Sequence, residues 1–326
     1  MIFRSLAMSQ IMDLVARAAC SSAPVIITGE SGTGKEHLAR IIHNLSPRSA
    51  GPYVAINCAA IPETLIESEL FGYERGAFTG ADHSREGCFE SANGGTLLLD
   101  EFVEMRPDMQ AKFLRALQER KVRRLGGKRE MAVDVLVLAA TNQPLKYALS
   151  NGLLREDFFY RLNVFVLDLP PLRERIEDLP LLVAEFLLEA NKEQGREVEG
   201  VSKGCLEALR AYRWPGNIRE LRNVIHHAVI VSKQRTISLD DLPPEFCSTN
   251  GKVECLTVPV GSSLDEVERE LIGRTIEFTA GNKTKAARML GLGVRTLYRR
   301  LERYAGNELA DARNGPGVAR RNGSRP

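Results

Sequence analysis

At 326 residues the chain is about twice as long as a typical domain of roughly 100–200 residues, so two or three domains are expected. With 44% hydrophobic and 26% charged residues, no apolar run near the ~18 residues of a membrane span and an N-terminus too polar for a signal peptide, the composition excludes collagen, rod-like coiled coil, disulfide mini-protein and disordered chain, and argues against a membrane or secreted protein. Net charge is only +2, yet residues 281–326 hold eleven Lys and Arg against three acids, an asymmetry that points to nucleic acid at the C-terminal end.

Residues 1–20 have the period of an amphipathic helix, with Ile11, Leu14, Val15 and Ala18 on one side. A short apolar run at 24–28 suits a buried parallel strand, and helical period returns over 36–44. Further strands are expected at 53–56, 96–99 and 133–139, separated by helices such as 109–118. Strands alternating with helices imply an α/β layered domain with a mainly parallel sheet. After Pro170-Pro171 only helices are expected, at 179–191, 203–212 and 218–231. A polar linker covers 245–263, a compact helical segment covers 264–304, and the tail after Gly306 lacks the apolar residues for a core. The six cysteines are scattered, without a CxxC pair or a nearby His at ligand spacing, so reduced thiols are expected rather than a zinc site.

The segment Gly29-Glu30-Ser31-Gly32-Thr33-Gly34-Lys35-Glu36 follows a strand and opens a helix, with the G-x-x-x-x-G-K spacing of a phosphate-binding loop. Glycines let successive N–H groups turn toward phosphate oxygens, the helix N-terminus adds positive potential, and Lys35 supplies charge for the β and γ phosphates. Glu36 stands where Ser or Thr normally ligates Mg²⁺, so either the metal is held mainly from elsewhere or the motif is false. Gly94-Gly95-Thr96 leads an apolar strand that ends in Asp100-Glu101. Asp100 can hold Mg²⁺, directly or through water, and Glu101 can activate the attacking water. The pairing of the two motifs implies that a nucleotide is hydrolysed, not merely bound.

Gly76-Ala77-Phe78-Thr79-Gly80-Ala81, preceded by Glu69-Leu70-Phe71-Gly72, resembles the hexapeptide of the bacterial enhancer-binding proteins, the AAA+ activators of sigma-54 RNA polymerase. The loop with Glu36 after Lys35 is also that family's version, and the likeness covers roughly residues 1–305. The resemblance implies that the hexapeptide tips a loop touching sigma-54, for which Phe78 is a suitable apolar anchor. It implies further that Asn57 interacts with Glu101 and links nucleotide state to that loop, and that Thr141 and Asn142 sense the γ-phosphate. Arg155 and Arg161 match arginine fingers, which act in trans and make hydrolysis depend on assembly. Arg219 matches a second sensor reaching the nucleotide from a helical lid. Leu136, Val103 and Gln143-Pro144 depart from the family's commonest residues, away from the phosphate chemistry.

Residues 281–301 read as helix, glycine turn, helix, with Ala286, Ala287, Leu290, Leu297 and Leu301 on the apolar sides. This segment resembles the Fis-type helix-turn-helix. Arg295, Thr296, Arg299 and Arg300 are expected to face outward from the recognition helix, and Lys283, Thr284, Lys285 and Arg288 to sit against DNA, the basic ones on phosphates. The expected organisation is therefore an α/β P-loop AAA+ three-layer domain at 1–170, a helical lid at 171–244, a linker at 245–263, a helix-turn-helix at 264–305 and a disordered basic tail at 306–326.

Taken together these features imply a cytoplasmic ATPase, using ATP and Mg²⁺, that binds enhancer DNA and remodels the sigma-54 holoenzyme. A homo-oligomer is implied, a hexamer on the family pattern, with assembly from dimers left open. The first strand begins about 25 residues in, so if Met1 is the true start regulation comes in trans; the chain can equally be a fragment of a longer regulator. Two other classes remain: a DNA-binding regulator that uses nucleotide only to assemble, and an AAA+ remodelling chaperone, which leaves the helix-turn-helix unexplained.

Overall fold

A computed structural model describes residues 4–247, 261, 263–279 and 281–313, which fall into two units, Met1–Cys247 and Ser248–Pro326. In the first, Ser5 caps helix α1 (Leu6–Ala19) by accepting from the Met8 amide. Strand β1 (Val25–Thr28) runs into the glycine loop and α2 (Lys35–Leu45). Strand β2 (Tyr53–Asn57) and α3 (Ile66–Phe71) lead into a hairpin of β3 (Gly72–Tyr73) and β4 (Arg85–Glu86). There follow α4 (Cys88–Ser91), β5 (Thr96–Asp100) and α5 (Pro107–Glu119), then a second hairpin, β6 (Lys121–Arg123) with β7 (Glu130–Ala132). Strand β8 (Leu136–Thr141), α6 (Leu145–Ser150), α7 (Glu156–Leu162) and β9 (Phe165–Asp168) complete the layer.

The five main strands pair in parallel in the order β2-β5-β8-β1-β9. Their side chains alternate between two cores, as the pleat requires. Ile26, Leu97, Leu99, Val137 and Ala139 pack toward α5 and α7, whereas Val25, Ile27, Leu98, Leu138 and Ala140 pack toward α1 and α2. This is the expected three-layer arrangement, and it carries the ends of β1, β2, β5 and β8 to one edge. Strand β9 and the two hairpins were not among the expected elements. β9 has one buried residue in four, because it lies at the sheet border, so it gives no continuous apolar signal.

The lid comprises α8 (Leu179–Gln194), α9 (Lys203–Ala211) and α10 (Asn217–Val231), with a two-residue parallel pair joining β10 (Gly200–Val201), before α9, to β11 (Thr236–Ile237), after α10. A turn of helix, α11 (Pro244–Cys247), belongs to it as well. The lid therefore continues three residues beyond the expected boundary at 244, because Phe246 is 2% exposed and closes an aromatic cluster. Its ring lies 4.5 Å from Tyr212 and 5.4 Å from Trp214, whose indole donates to the Leu209 carbonyl at 2.8 Å. The rest of the expected linker, apart from 261 and 263, lies outside the described residues.

In the second unit, Ser263 and Glu266 form a capping box at the start of α12 (Leu264–Phe278). Helices α13 (Lys283–Met289) and α14 (Val294–Arg313) follow, and Ile272, Ala286, Ala287, Leu297 and Tyr304 make the core. The last helix passes Gly306 and ends at Arg313, where a disordered tail was expected. Glu308, Leu309, Ala310 and Ala312 are strong helix formers that extend a helix already nucleated by packing. Residues 314–326 lie outside the described residues. Among the described residues no helix is long and apolar enough to cross a membrane.

Phe246→Ala should destabilise the lid by ~3–5 kcal/mol, the usual loss for a buried aromatic. Urea unfolding followed by the fluorescence of Trp214, the chain's one tryptophan, reads this directly; an unchanged midpoint would detach α11 from the lid core.

Candidate functional site

The edge formed by the strand ends gathers most of the expected nucleotide residues. Gly29, Gly32 and Gly34 have φ of 146°, 78° and 99°, so the loop takes a backbone path that L side chains resist. Lys35 is 7% exposed, and its ammonium donates to the carbonyls of Gly29 at 3.0 Å and Glu30 at 3.4 Å. Glu101 Oε1 lies 3.7 Å away. Burial holds the Lys35 ammonium below the usual lysine range, against the opposing pull of Glu101 and Asp100. Burial, reinforced by the charge of Glu101, raises Asp100 above the usual carboxylate range, with Lys35 acting in the opposite sense. Two carboxylates and one ammonium thus share a poorly hydrated space.

Glu101 has φ 51° and ψ 47°, a left-handed conformation costly for a non-glycine residue. That kink turns its carboxylate back to the sheet edge, where Oε2 accepts from the Asn142 amide at 2.9 Å. The Asn142 contact is thus through its backbone, and the Thr141 side chain is fully buried, accepting from the Gln143 amide at 3.0 Å. Asn57 departs from the expected partner. Its amide donates to Asp100 Oδ2 at 3.0 Å rather than to Glu101, because β2 and β5 pair in parallel with Asn57 opposite Asp100. Its Oδ1 accepts from the amides of Ala59 and Ala60, at 3.0 and 3.1 Å.

From the lid, Arg219 donates to Ser31 Oγ at 2.9 Å, which brings it onto the phosphate loop. Thr33 is buried, while Glu36 is exposed on the first turn of α2 and pairs with Arg40 at 3.8 Å. A cavity of about 140 Å³ adjoins Thr33 and Gly34, walled by Met8, His37, Ile41, Arg175, Phe186 and Ile218. None of these six was anticipated, since they come from four distant segments and have no shared motif. Arg155 and Arg161 are not drawn into this site. Arg155 caps the approach to α7 and pairs with Asp157 at 2.8–3.0 Å, and Arg161 is exposed in the last turn of that helix.

The hexapeptide loop tips the β3–β4 hairpin. The Gly76 amide donates to the Ala81 carbonyl at 2.9 Å, and the Ala81 amide to the Phe78 carbonyl at 3.1 Å. Gly76 and Gly80 have φ of 81° and 98°, so both turns use left-handed backbone. Phe78 is 42% exposed and sets its ring edge against Tyr73 at 5.0 Å; Thr79 is exposed. Arg124, from the second hairpin, forks onto Glu90 at 2.6 and 2.8 Å and reaches Glu74 at 3.4 Å, locking the base of the loop.

In the second unit Lys283, Thr284, Lys285, Arg288, Arg295 and Arg299 are exposed, and Thr296 is half-buried. Lys283 also stands over the Tyr298 ring at 5.0 Å. Arg300 does not face outward as expected. It is ion-paired to Glu268 on α12, because its place on α14 turns it toward the first helix.

Three family models match in succession: the sigma-54 interaction domain over residues 1–168, the AAA+ ATPase lid domain over 173–254 and the bacterial regulatory protein, Fis family, over 263–304. The chain belongs to the sigma-54-dependent transcriptional activators. It is 47% identical to the regulatory protein AtoC of Escherichia coli over 91% of its length and 66% of that protein's. It is 44% identical to FlbD of Caulobacter vibrioides, over 98% and 74%. Among solved structures, NtrX of Brucella abortus in complex with ATP matches with a TM-score of 0.69 at 33% identity, covering 93% of this chain and 68% of that one; its ADP complex gives 0.71. The activator thus joins an AAA+ ATPase domain and lid to a Fis-type DNA-binding domain.

Lys35→Ala should abolish nucleotide binding, whereas Glu101→Gln should keep binding and lose turnover by ~10²-fold or more, the usual weight of acid–base assistance. Titration with a fluorescent ATP analogue alongside phosphate release separates the two; unchanged turnover in Glu101→Gln would remove it from the chemistry.

Proposed function

We propose that this activator hydrolyses ATP at the strand-end site to drive its Gly76–Ala81 loop against sigma-54, opening the promoter while its helix-turn-helix holds upstream DNA. One observation carries the reading: Asn57 bridges the Asp100 carboxylate and the chain that leads to the loop. It donates to Asp100, accepts from Ala59 and Ala60, and stands at the head of the segment that runs through α3 directly into β3. A change in charge around Asp100 therefore acts on the root of the hairpin.

Lys35 neutralises the β and γ phosphates, with Glu30, Ser31, Thr33 and the three loop glycines shaping the backbone cradle. Asp100 beside Glu101 is an oxygen donor set suited to a hard cation, and Asp100 would hold Mg²⁺ there. Among the described residues no three His, Cys, Asp or Glu converge, consistent with an ion held largely by its nucleotide. Bound there, Mg²⁺ supplies Lewis-acid polarisation of the phosphates. Glu101, fixed by the Asn142 amide, orients and deprotonates the attacking water. Thr141 and Asn142 stiffen that strand end, and Arg219 neutralises phosphate charge from the lid. The cavity by Met8 and Phe186 accommodates the base.

Arg155 and Arg161 serve a neighbouring copy's site. Supporting this, Tyr147, Leu153, Tyr160, Val164 and Val166 are all exposed, by 41–71%, in the same stretch of chain, apolar surface that a second copy of the ring would cover. Arg155 then exchanges Asp157 for the partner's phosphate. In the helix-turn-helix, Lys283, Thr284, Lys285 and Arg288 hold the DNA backbone, and Arg295, Thr296 and Arg299 face the bases. Arg300 supports that helix through Glu268.

Thr79→Ala tests the reading, because Thr79 is exposed at the loop tip. The variant should retain ATPase activity and enhancer footprinting, yet yield no open complex on a sigma-54 promoter in transcription with purified components. Full activation by Thr79→Ala would sink the proposed coupling.

A further inference from the structure

Glu30 is the second residue of the phosphate loop, but its carboxylate makes its bonds to the lid. Arg173 donates through a two-bond fork, Nη1 to Oε2 at 2.8 Å and Nη2 to Oε1 at 2.6 Å. The Asn217 amide donates to the same Oε2 at 3.1 Å and to the Ser31 carbonyl at 3.0 Å. Asn217 Oδ1 in turn accepts from the Leu172 amide at 2.8 Å. One carboxylate therefore joins the two lid segments that meet at the loop: the turn at Leu172–Glu174 and the start of α10.

Exposed ion pairs contribute little on their own. This one is different in kind, because its third member is a fully buried asparagine whose amide is shared between Glu30 and the Ser31 carbonyl. The next residue continues the junction, with the Ile218 amide donating to the Gly32 carbonyl at 2.9 Å. A Cβ on Gly32 would stand 2.3 Å from the Gly216 carbonyl oxygen, so loop and lid touch backbone to backbone. Arg219 follows immediately, on Ser31. Hydrogen bonds from Arg173 and Asn217 hold the Glu30 carboxyl down at about 2, so the junction stays charged well below neutral pH.

We infer that Glu30 is a positioning residue, not a phosphate ligand: with Arg173 and Asn217 it pins the start of α10 to the phosphate loop and so sets where Arg219 meets the nucleotide. The inference rests on the proposed role of Arg219. It gives the loop two faces, backbone toward phosphate and the Glu30 side chain toward the lid. Turnover then depends on a contact that touches neither ATP nor the attacking water.

The test uses the full chain and two readouts. Glu30→Ala and Arg173→Ala are each made in the wild-type and Arg219→Ala backgrounds, and kcat and KM are measured for ATP. Each should lower kcat/KM by roughly tenfold in the wild type, the scale of a lost charge-assisted hydrogen bond, and by less than twofold once Arg219 is gone. Arg173→Lys, which keeps the charge but loses the two-bond fork, should restore part of the activity. Equal losses in both backgrounds would overturn the inference, since Glu30 would then act on phosphate independently of Arg219. Hydrogen exchange of residues 214–222, without nucleotide, supplies the second readout and should quicken severalfold in both alanine variants. If Arg219→Ala alone leaves turnover unchanged, the role of Arg219 fails and exchange decides the pin: unaltered protection overturns it.

Discussion

The nucleotide site depends on a charge imbalance held away from water. Lys35 is pinned to two loop carbonyls and faces Glu101 at 3.7 Å, while burial and that same neighbour raise Asp100. Alone, such a cluster is unfavourable, because each charge has lost hydration that its partners replace only in part. On the proposed function, added phosphate and cation would rebalance it and make the site responsive to nucleotide. The parallel sheet fixes the distances. With β5 between β2 and β8, and β8 beside β1, the ends carrying Asn57, Asp100, Thr141 and the phosphate loop lie side by side.

From that edge the effects run in two directions. Toward the hairpins, Asn57 joins Asp100 to the turn before α3, and Arg124 ties the loop's base to Glu90 and Glu74. Toward the lid, three consecutive residues, Asn217, Ile218 and Arg219, each bond to the phosphate loop. The strained Glu101 at φ 51° stands at the centre, in keeping with the clustering of costly conformations at sites of chemistry.

Much of this was legible in the sequence wherever chemistry restricts residue type. Only glycine fits the turns of the phosphate loop, and an apolar strand ending in two acids has few uses. Pairings that depend on spatial neighbours were harder to read. Asn57 finds Asp100 rather than Glu101 through strand register, and Glu30 finds Arg173 across 143 positions of sequence. Arg300 looked like a DNA contact by its spacing, but Glu268 lies within its reach. Short elements failed for a different reason. β9 and the hairpins are two to four residues long, below the length at which hydrophobic period distinguishes a strand.

On the proposed function, the nucleotide bound beside Asp100 and Glu101 governs whether the Phe78–Thr79 tip engages sigma-54. Capture of sigma-54 by the wild-type chain, compared between an ATP transition-state analogue and ADP at equal protein concentration, tests it directly. The account predicts a stable complex with the analogue and weak binding with ADP. Equal binding in the two nucleotide states would contradict it.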